Sequence, residues 1–124
     1  MSESNKNLVR KYWAAAIARD WITFAELLHE DIVYDVPQTR ERVRGRSAYV
    51  EFNESYPGDW TLEIDALVAD DGQAVSRISF VVNGEVETGI SFFEFRDGLI
   101  YRIKDYWPVP YEPPLRTTQR IERI

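Results

Sequence analysis

From Leu99 to Trp107 the chain alternates without a break. Leu99, Tyr101, Ile103, Asp105 and Trp107 fall on one face of a strand, and Ile100, Arg102, Lys104 and Tyr106 on the other. The first row is apolar except at Asp105. A carboxylate in a core-facing row is costly unless donors meet it, and burial drives its pKa upward, toward the range in which a general acid or base works. An aspartate bonded to a nearby hydroxyl or backbone amide would fill the same position for structure alone, and strand parity does not choose between the two. Asp105 is the first candidate for chemistry.

Arg77 is the second. Asp71-Gly72, Asn83-Gly84 and Asp97-Gly98 are type I′ hairpin signals. A two-residue loop at the first sets Val68 opposite Val75, Ala66 opposite Arg77, Ile64 opposite Ser79 and Leu62 opposite Val81. If Trp60, Leu62, Ile64, Ala66 and Val68 share one buried face, Arg77 points inward with them. Continuing the count puts Ile90 between Arg77 and Asp105, with roughly 10 Å between the outer backbones, a gap that a guanidinium largely bridges. The same count turns Glu94 inward. One bulge in that strand would bring in Ser91 and Phe93 instead, so the choice between Ser91 and Phe92 stays open.

The elements that must position these groups follow from periodicity. From Ser4 to Arg19, Leu8, Tyr12 and Ala16 form one i, i+4 row and Val9, Trp13 and Ile17 the next, the apolar stripe of a helix. Asp20 or Thr23 can cap a second helix that buries Phe24, Leu27 and Leu28 and ends near Asp31. A short strand over Ile32 to Val36 stops at Pro37. A polar loop from Gln38 to Arg46 carries four arginines, and a short helix from Ser47 carries Tyr49, Phe52 and Tyr56 and ends at Pro57-Gly58. A four-strand meander follows, and Pro108, Pro110, Pro113 and Pro114 end the sheet. Three helices followed by a long antiparallel sheet give an α+β layout in which the helices cover one face of a curved sheet and leave a pocket at its open end.

Composition closes off several alternatives. One domain is expected from 124 residues, and 44% hydrophobic residues with four Trp, seven Tyr and six Phe can fill one core. The absence of cysteine excludes disulfides and thiol nucleophiles. A single histidine, His29, read at the polar end of the second helix and exposed, cannot build a histidine-rich metal cage; no metal site or cofactor is expected. A net charge of -6 repels phosphate backbones and anionic lipid, so no nucleic-acid partner is expected. No run approaches the roughly 20 apolar residues that span a bilayer, and no membrane partner is expected; the chain reads as soluble and cytoplasmic. The arginines of the 38–46 loop are read as a solvated loop rather than an anion site.

Val9-Arg10-Lys11-Tyr12-Trp13-Ala14-Ala15-Ala16 with Arg19-Asp20-Trp21, then Leu27 to Pro37, Gly45-Arg46-Ser47-Ala48, and Arg96-Asp97-Gly98 through Lys104-Asp105-Tyr106-Trp107-Pro108 resemble, in order and spacing, a SnoaL-like domain of the NTF2-like superfamily. The resemblance spans about residues 5–108, with a tail over 109–124. It implies a cone-like α+β barrel, three N-terminal helices against a curved, mostly antiparallel sheet, and a homodimer. The family includes polyketide cyclases, ketosteroid isomerases, epoxide hydrolases and dehydratases, so fold alone does not fix the reaction.

Carried over, Asp105 takes the place of the acid/base aspartate of SnoaL-type cyclases and of one of the two aspartates of limonene-epoxide hydrolases. Arg77 takes that of the hydrolase arginine, but Ser79 replaces the second aspartate. Tyr12 matches the oxyanion-hole tyrosine of ketosteroid isomerase, while Val36 stands at its general base and Ser91 at its protonated aspartate. Asp35, one residue from the base position, is expected on the opposite face. The expected catalytic set is Asp105, Arg77 and Tyr12, with Trp13, Tyr34, Val36, Ser79, Ser91, Phe93 and Trp107 around a small apolar ligand. Trp13, Tyr34, Phe93 and Trp107 would equally serve as core aromatics if no cavity exists. Two functions remain: a cofactor-independent cyclase, isomerase or dehydratase acting on a small carbonyl or hydroxyl compound, and a noncatalytic ligand-binding or dimerisation module.

Overall fold

A computed structural model describes residues 2–124. Helix α1 spans Ser2–Ala18, α2 Trp21–Glu26 and α3 Arg46–Glu54. The strands are β1 Leu28–Val36, β2 Glu41–Arg44, β3 Trp60–Ala69, β4 Gln73–Val82, β5 Glu85–Arg96 and β6 Leu99–Tyr106. They form one six-stranded sheet in the order β2-β1-β6-β5-β4-β3. Every pairing is antiparallel except β1 with β6. The sheet is curved and unclosed, α1 lies on β3 and β4, and α3 lies on β1 and β2, which is the expected α+β cone. Among the described residues no helix is long and apolar enough to cross a membrane.

The local signals explain most boundaries. Asp20 caps α2, accepting from the Thr23 amide at 3.1 Å and the Thr23 hydroxyl at 2.6 Å. That helix is shorter than expected, because Leu28 already pairs with Ile100 and opens β1 five residues after Thr23. His29 therefore lies on a strand, half-buried, with Nε2 3.4 Å from Asp97 and its ring edge-on to Tyr101. The arginine-rich stretch is not all loop. Glu41–Arg44 pairs with β1 as a short, charged edge strand, a form that resists further strand addition. Its Arg42 grips Asp35 through two hydrogen bonds, of 2.6 and 2.9 Å, which holds the Asp35 carboxyl below the usual range and on the face away from the core.

Two of the three hairpins are built as expected: Asn83 and Gly84 have φ of 53° and 83°, and Asp97 and Gly98 have 56° and 74°, the positive pair that a type I′ turn requires. Asp71-Gly72 is different. Neither residue has positive φ, and the Asp70 carboxylate holds the turn by accepting from the Gly72 and Gln73 amides at 2.8 Å.

Two irregularities reset the strand parity. In β3, Ile64 pairs with Ile78 but Ala66 with Arg77, so Asp65 is an extra residue. Trp60 and Leu62 face the core before it, whereas Val68 beyond it is 63% exposed. The inward row of β4 is therefore Ala74, Ser76, Ile78 and Phe80, and Arg77 and Ser79 point outward. In β6, Ile100 pairs with Phe95 and Arg102 with Glu94, leaving Tyr101 extra. Ile100 is consequently fully buried rather than on the outer sheet face. Ser91, not Ile90, stands opposite Asp105, and Ser91 and Phe93 face in while Phe92 is 43% exposed.

Candidate active site

The helices and the concave sheet face enclose a cavity of about 220 Å³. Asp105 reaches it from the end of β6, Tyr34 and Val36 from β1, Tyr12 and Trp13 from α1, and Tyr49 from α3. Its walls are otherwise apolar, with Leu62, Ile78, Trp60 and Phe80 on the sheet side. The exposed residues Thr39, Glu41 and Tyr56 and the half-buried Phe52, Asn53 and Trp107 stand toward solvent and mark the mouth.

Asp105 is only 6% exposed. Its Oδ2 accepts from the Tyr34 hydroxyl and its Oδ1 from the Ser91 hydroxyl, both at 2.6 Å. Burial pushes its carboxyl up to about 6, and the hydrogen bonds from Ser91 and then Tyr34 restrain that rise. No cationic side chain among the described residues contributes. The group is thus a carboxylate at neutral pH that takes a proton readily, and each oxygen keeps acceptor capacity beyond its one hydroxyl partner.

Beside it, the Tyr12 and Tyr49 hydroxyls share a short hydrogen bond in the buried interior. Burial raises both phenols well above their ordinary value, and the Asp105 charge raises them further. They stay neutral donors. Two phenols joined by one hydrogen bond leave one hydroxyl proton uncommitted, available to an oxygen in the cavity. Tyr49 is fixed by its tilted ring contact with Tyr34, centroids 4.6 Å apart, and Tyr12 by its edge contact with Phe93 at 5.4 Å. The Trp13 indole donates to Ser76 at 3.0 Å, which settles its polar edge within the wall. At the end of α1, Arg19 lies 3.6 Å over the Trp60 ring and donates to the Trp60 carbonyl, fastening that wall to the helix.

The structure brings together Asp105, Tyr12, Trp13, Tyr34, Val36 and Trp107 as cavity residues. Ser91 supports Asp105 from β5 without lining the space, and Phe93, fully buried, packs beneath Tyr12. Arg77 and Ser79 are not in the site. Both lie on the convex face because the extra residue in β3 inverts parity, and Ser79 donates to Asp65 there at 2.6 Å. Tyr49 lines the cavity as well, although its place in the sequence did not single it out as a site residue. The signal was present, since Tyr49, Phe52 and Tyr56 recur at helical spacing, but nothing local told that this face looks into a cavity rather than a filled core. Among the described residues no group of three potential ligand side chains is placed to hold a metal ion.

This constellation sits in a known class of small domains. Residues 9–103 match the SnoaL-like domain model, and the chain belongs to that family. Among solved structures it is similar to a Kribbella flavida protein described as a candidate ketosteroid isomerase, at 41% identity over 99% of this chain and 91% of that one, with a TM-score of 0.93. An NTF2-like protein of unknown function from Burkholderia xenovorans shares the fold at 24% identity and a TM-score of 0.82, over 98% and 96% of the two chains. The protein YesE of Bacillus subtilis, itself uncharacterised, is 30% identical over 116 residues, 80% of this chain and 78% of its own.

Proposed function

We propose that the protein is a cofactor-independent acid/base enzyme that moves a proton on a small apolar carbonyl compound, of the isomerase, cyclase or dehydratase type. The observation that carries this reading is the Asp105 carboxylate, held by Tyr34 and Ser91 at the wall of an aromatic cavity and raised to about 6 by burial. In this reading the carboxylate removes a proton from the carbon beside the carbonyl. The electron pair moves onto the carbonyl oxygen, and the spare hydroxyl proton of the Tyr12–Tyr49 pair donates to the oxygen as its charge grows. Asp105 then returns its proton at a second position, which isomerises the compound, or to a leaving hydroxyl, which dehydrates it. Arg77 has no part.

One observation favours the noncatalytic alternative. Both Asp105 oxygens already have hydroxyl partners, as a structural aspartate would. Turnover separates the two. A panel of β,γ-unsaturated and β-hydroxy ketones, followed by the rise in conjugated-enone absorbance, is expected to yield a substrate for the native protein. On that substrate Asp105→Asn is expected to lose about 10²–10⁴-fold in kcat with unchanged circular dichroism. Undiminished turnover in the variant would overturn the assignment, and binding without turnover across the panel would support the alternative.

A further inference from the structure

Trp107 stands just beyond the end of β6 and contributes its indole to the cavity. Its backbone is fixed by one side chain from the β1–β2 connection. Gln38 Oε1 accepts from the Trp107 amide, and Gln38 Nε2 donates to the Trp107 carbonyl at 3.1 Å. Its ring is seated on bare backbone. A Cβ added at Gly89 of β5 would come within 2.9 Å of Trp107 Cζ3, 3.0 Å of Cη2 and 3.1 Å of Ile78 Cγ1. Gly89 has no positive φ to require glycine, so the close approach of the indole is what a side chain there would obstruct. The indole also makes a T-shaped contact with Phe80, at a centroid distance of 5.5 Å and an interplanar angle of 71°. The backbone clasp, the glycine seat and the Phe80 edge hold one large ring in a single place between the cavity and solvent.

The volume left inside is informative. An apolar cavity of roughly 150 Å³ accommodates one benzene, and this one offers about 220 Å³. That is room for one ring with a short chain or a compact fused pair. A four-ring skeleton, with roughly three times the carbon of benzene, exceeds it.

We propose that Trp107, seated on Gly89, is the size gate of this cavity, and that the ligand is a compact carbonyl compound of one or two rings. The proposal deepens the acid/base reading and rests on the same cavity being the site, but it is tested by binding rather than by turnover. Three probes form a ladder: cyclohex-2-enone, 2-tetralone and a four-ring 3-ketosteroid, each titrated calorimetrically into the native protein, Trp107→Ala, Trp107→Phe and Gly89→Ala. The native protein is expected to bind 2-tetralone more than about tenfold tighter than the steroid. Trp107→Ala should narrow or reverse that ratio by about tenfold or more, and Trp107→Phe should fall between. Gly89→Ala, which lifts the indole off its seat, should weaken 2-tetralone more than cyclohexenone. Native protein that binds the steroid as tightly as tetralone, or an affinity order unchanged in Trp107→Ala with its fold verified by circular dichroism, would overturn the gate and leave the proton chemistry of Asp105 standing. A size-ordered ladder without turnover of any ketone would sink the enzyme reading and leave the gate. Failure of all three probes to bind any form would overturn both.

Discussion

The concave and convex faces of the sheet are built from the same strands and treat charge in opposite ways. On the concave face the buried polar side chains among the described residues are Ser76, Ser91 and Asp105, and each is hydrogen-bonded within the protein. On the convex face β4, β5 and β6 present Arg77, Ser79, Glu94 and Lys104 to solvent. Charges there are screened and contribute little individually, so changing them moves little. A single carboxyl on the other face, deprived of water and of any cation, has its protonation equilibrium reset. The chemistry of a side chain in this fold is thus decided by face before residue type. Face is in turn decided by two extra residues, Asp65 and Tyr101.

The largest effect that tests this contrast is on stability. Asp105 titrates at about 6 in the folded protein against 3.8 for the free group. Between those values the native state holds more protons than the unfolded state, so stability falls as pH rises through that window and settles at a lower level above it. The ionised carboxyl thus costs about 3 kcal/mol at neutral pH. Asparagine cannot ionise, and its amide can donate to Tyr34 or Ser91 once that hydroxyl turns to accept. Asp105→Asn is therefore expected to be more stable than the native protein by about 1–3 kcal/mol at pH 8, with the difference vanishing near pH 4. Urea midpoints at the two pH values check it. Equal gaps at both would mean that the concave face does not desolvate this carboxyl.

Much of this contrast could be read in the sequence, and the part that could not has a definite cause. The alternation around Asp105 sets Ile103 and Asp105 on the core face as expected, because no bulge lies between them. The helical rows of α1 likewise place Tyr12 and Trp13 correctly. Arg77 failed although its cross-strand partner, Ala66, was counted correctly. The error lay in assuming that Ala66 shares a face with Leu62, and a bulge residue such as Asp65 carries no local mark in an alternating run. The early start of β1 was hidden for a different reason: Leu27 and Leu28 satisfy a helical row as well as a strand, and only pairing with Ile100 decides. Whether aromatic faces pack solid or leave about 220 Å³ between them is a property of three dimensions.

A smaller change sharpens the concave side alone. Tyr34→Phe removes the 2.6 Å hydrogen bond to Oδ2 and leaves the Ser91 bond to Oδ1 in place. Because that hydrogen bond favours the charged carboxylate, its loss should carry Asp105 upward from about 6, to about 7 or above for a charge-assisted bond of the usual strength. For a base that must be ionised, the acidic limb of the kcat/KM profile should move to higher pH by the same amount, with the pH-independent plateau altered less. Carboxyl carbon resonances followed by NMR against pH would show the shift without a substrate. A limb that stays near pH 6 would mean that Tyr34 packs against Asp105 without donating to its charge.

The smallest expected effect lies on the convex side and is the most direct check of the face assignment. An inward Arg77 would have paired with Asp105, and its removal would then leave a buried carboxylate alone, at a cost of about 3–5 kcal/mol and with its pKa driven upward. The structure instead sets Arg77 on the exposed face, opposite Ala66 and Ile90, with Ser76 and Ile78 as its inward neighbours. Arg77→Ala is therefore expected to change stability by less than about 0.5 kcal/mol and to leave the Asp105 titration where it stands in the native protein. Asp105 is the sensitive reporter because no other charge compensates it, and even a distant inward cation would register in a dry cavity. A downward displacement of the native titration relative to Arg77→Ala would place the guanidinium inside after all and merge the two faces that the bulge at Asp65 separates.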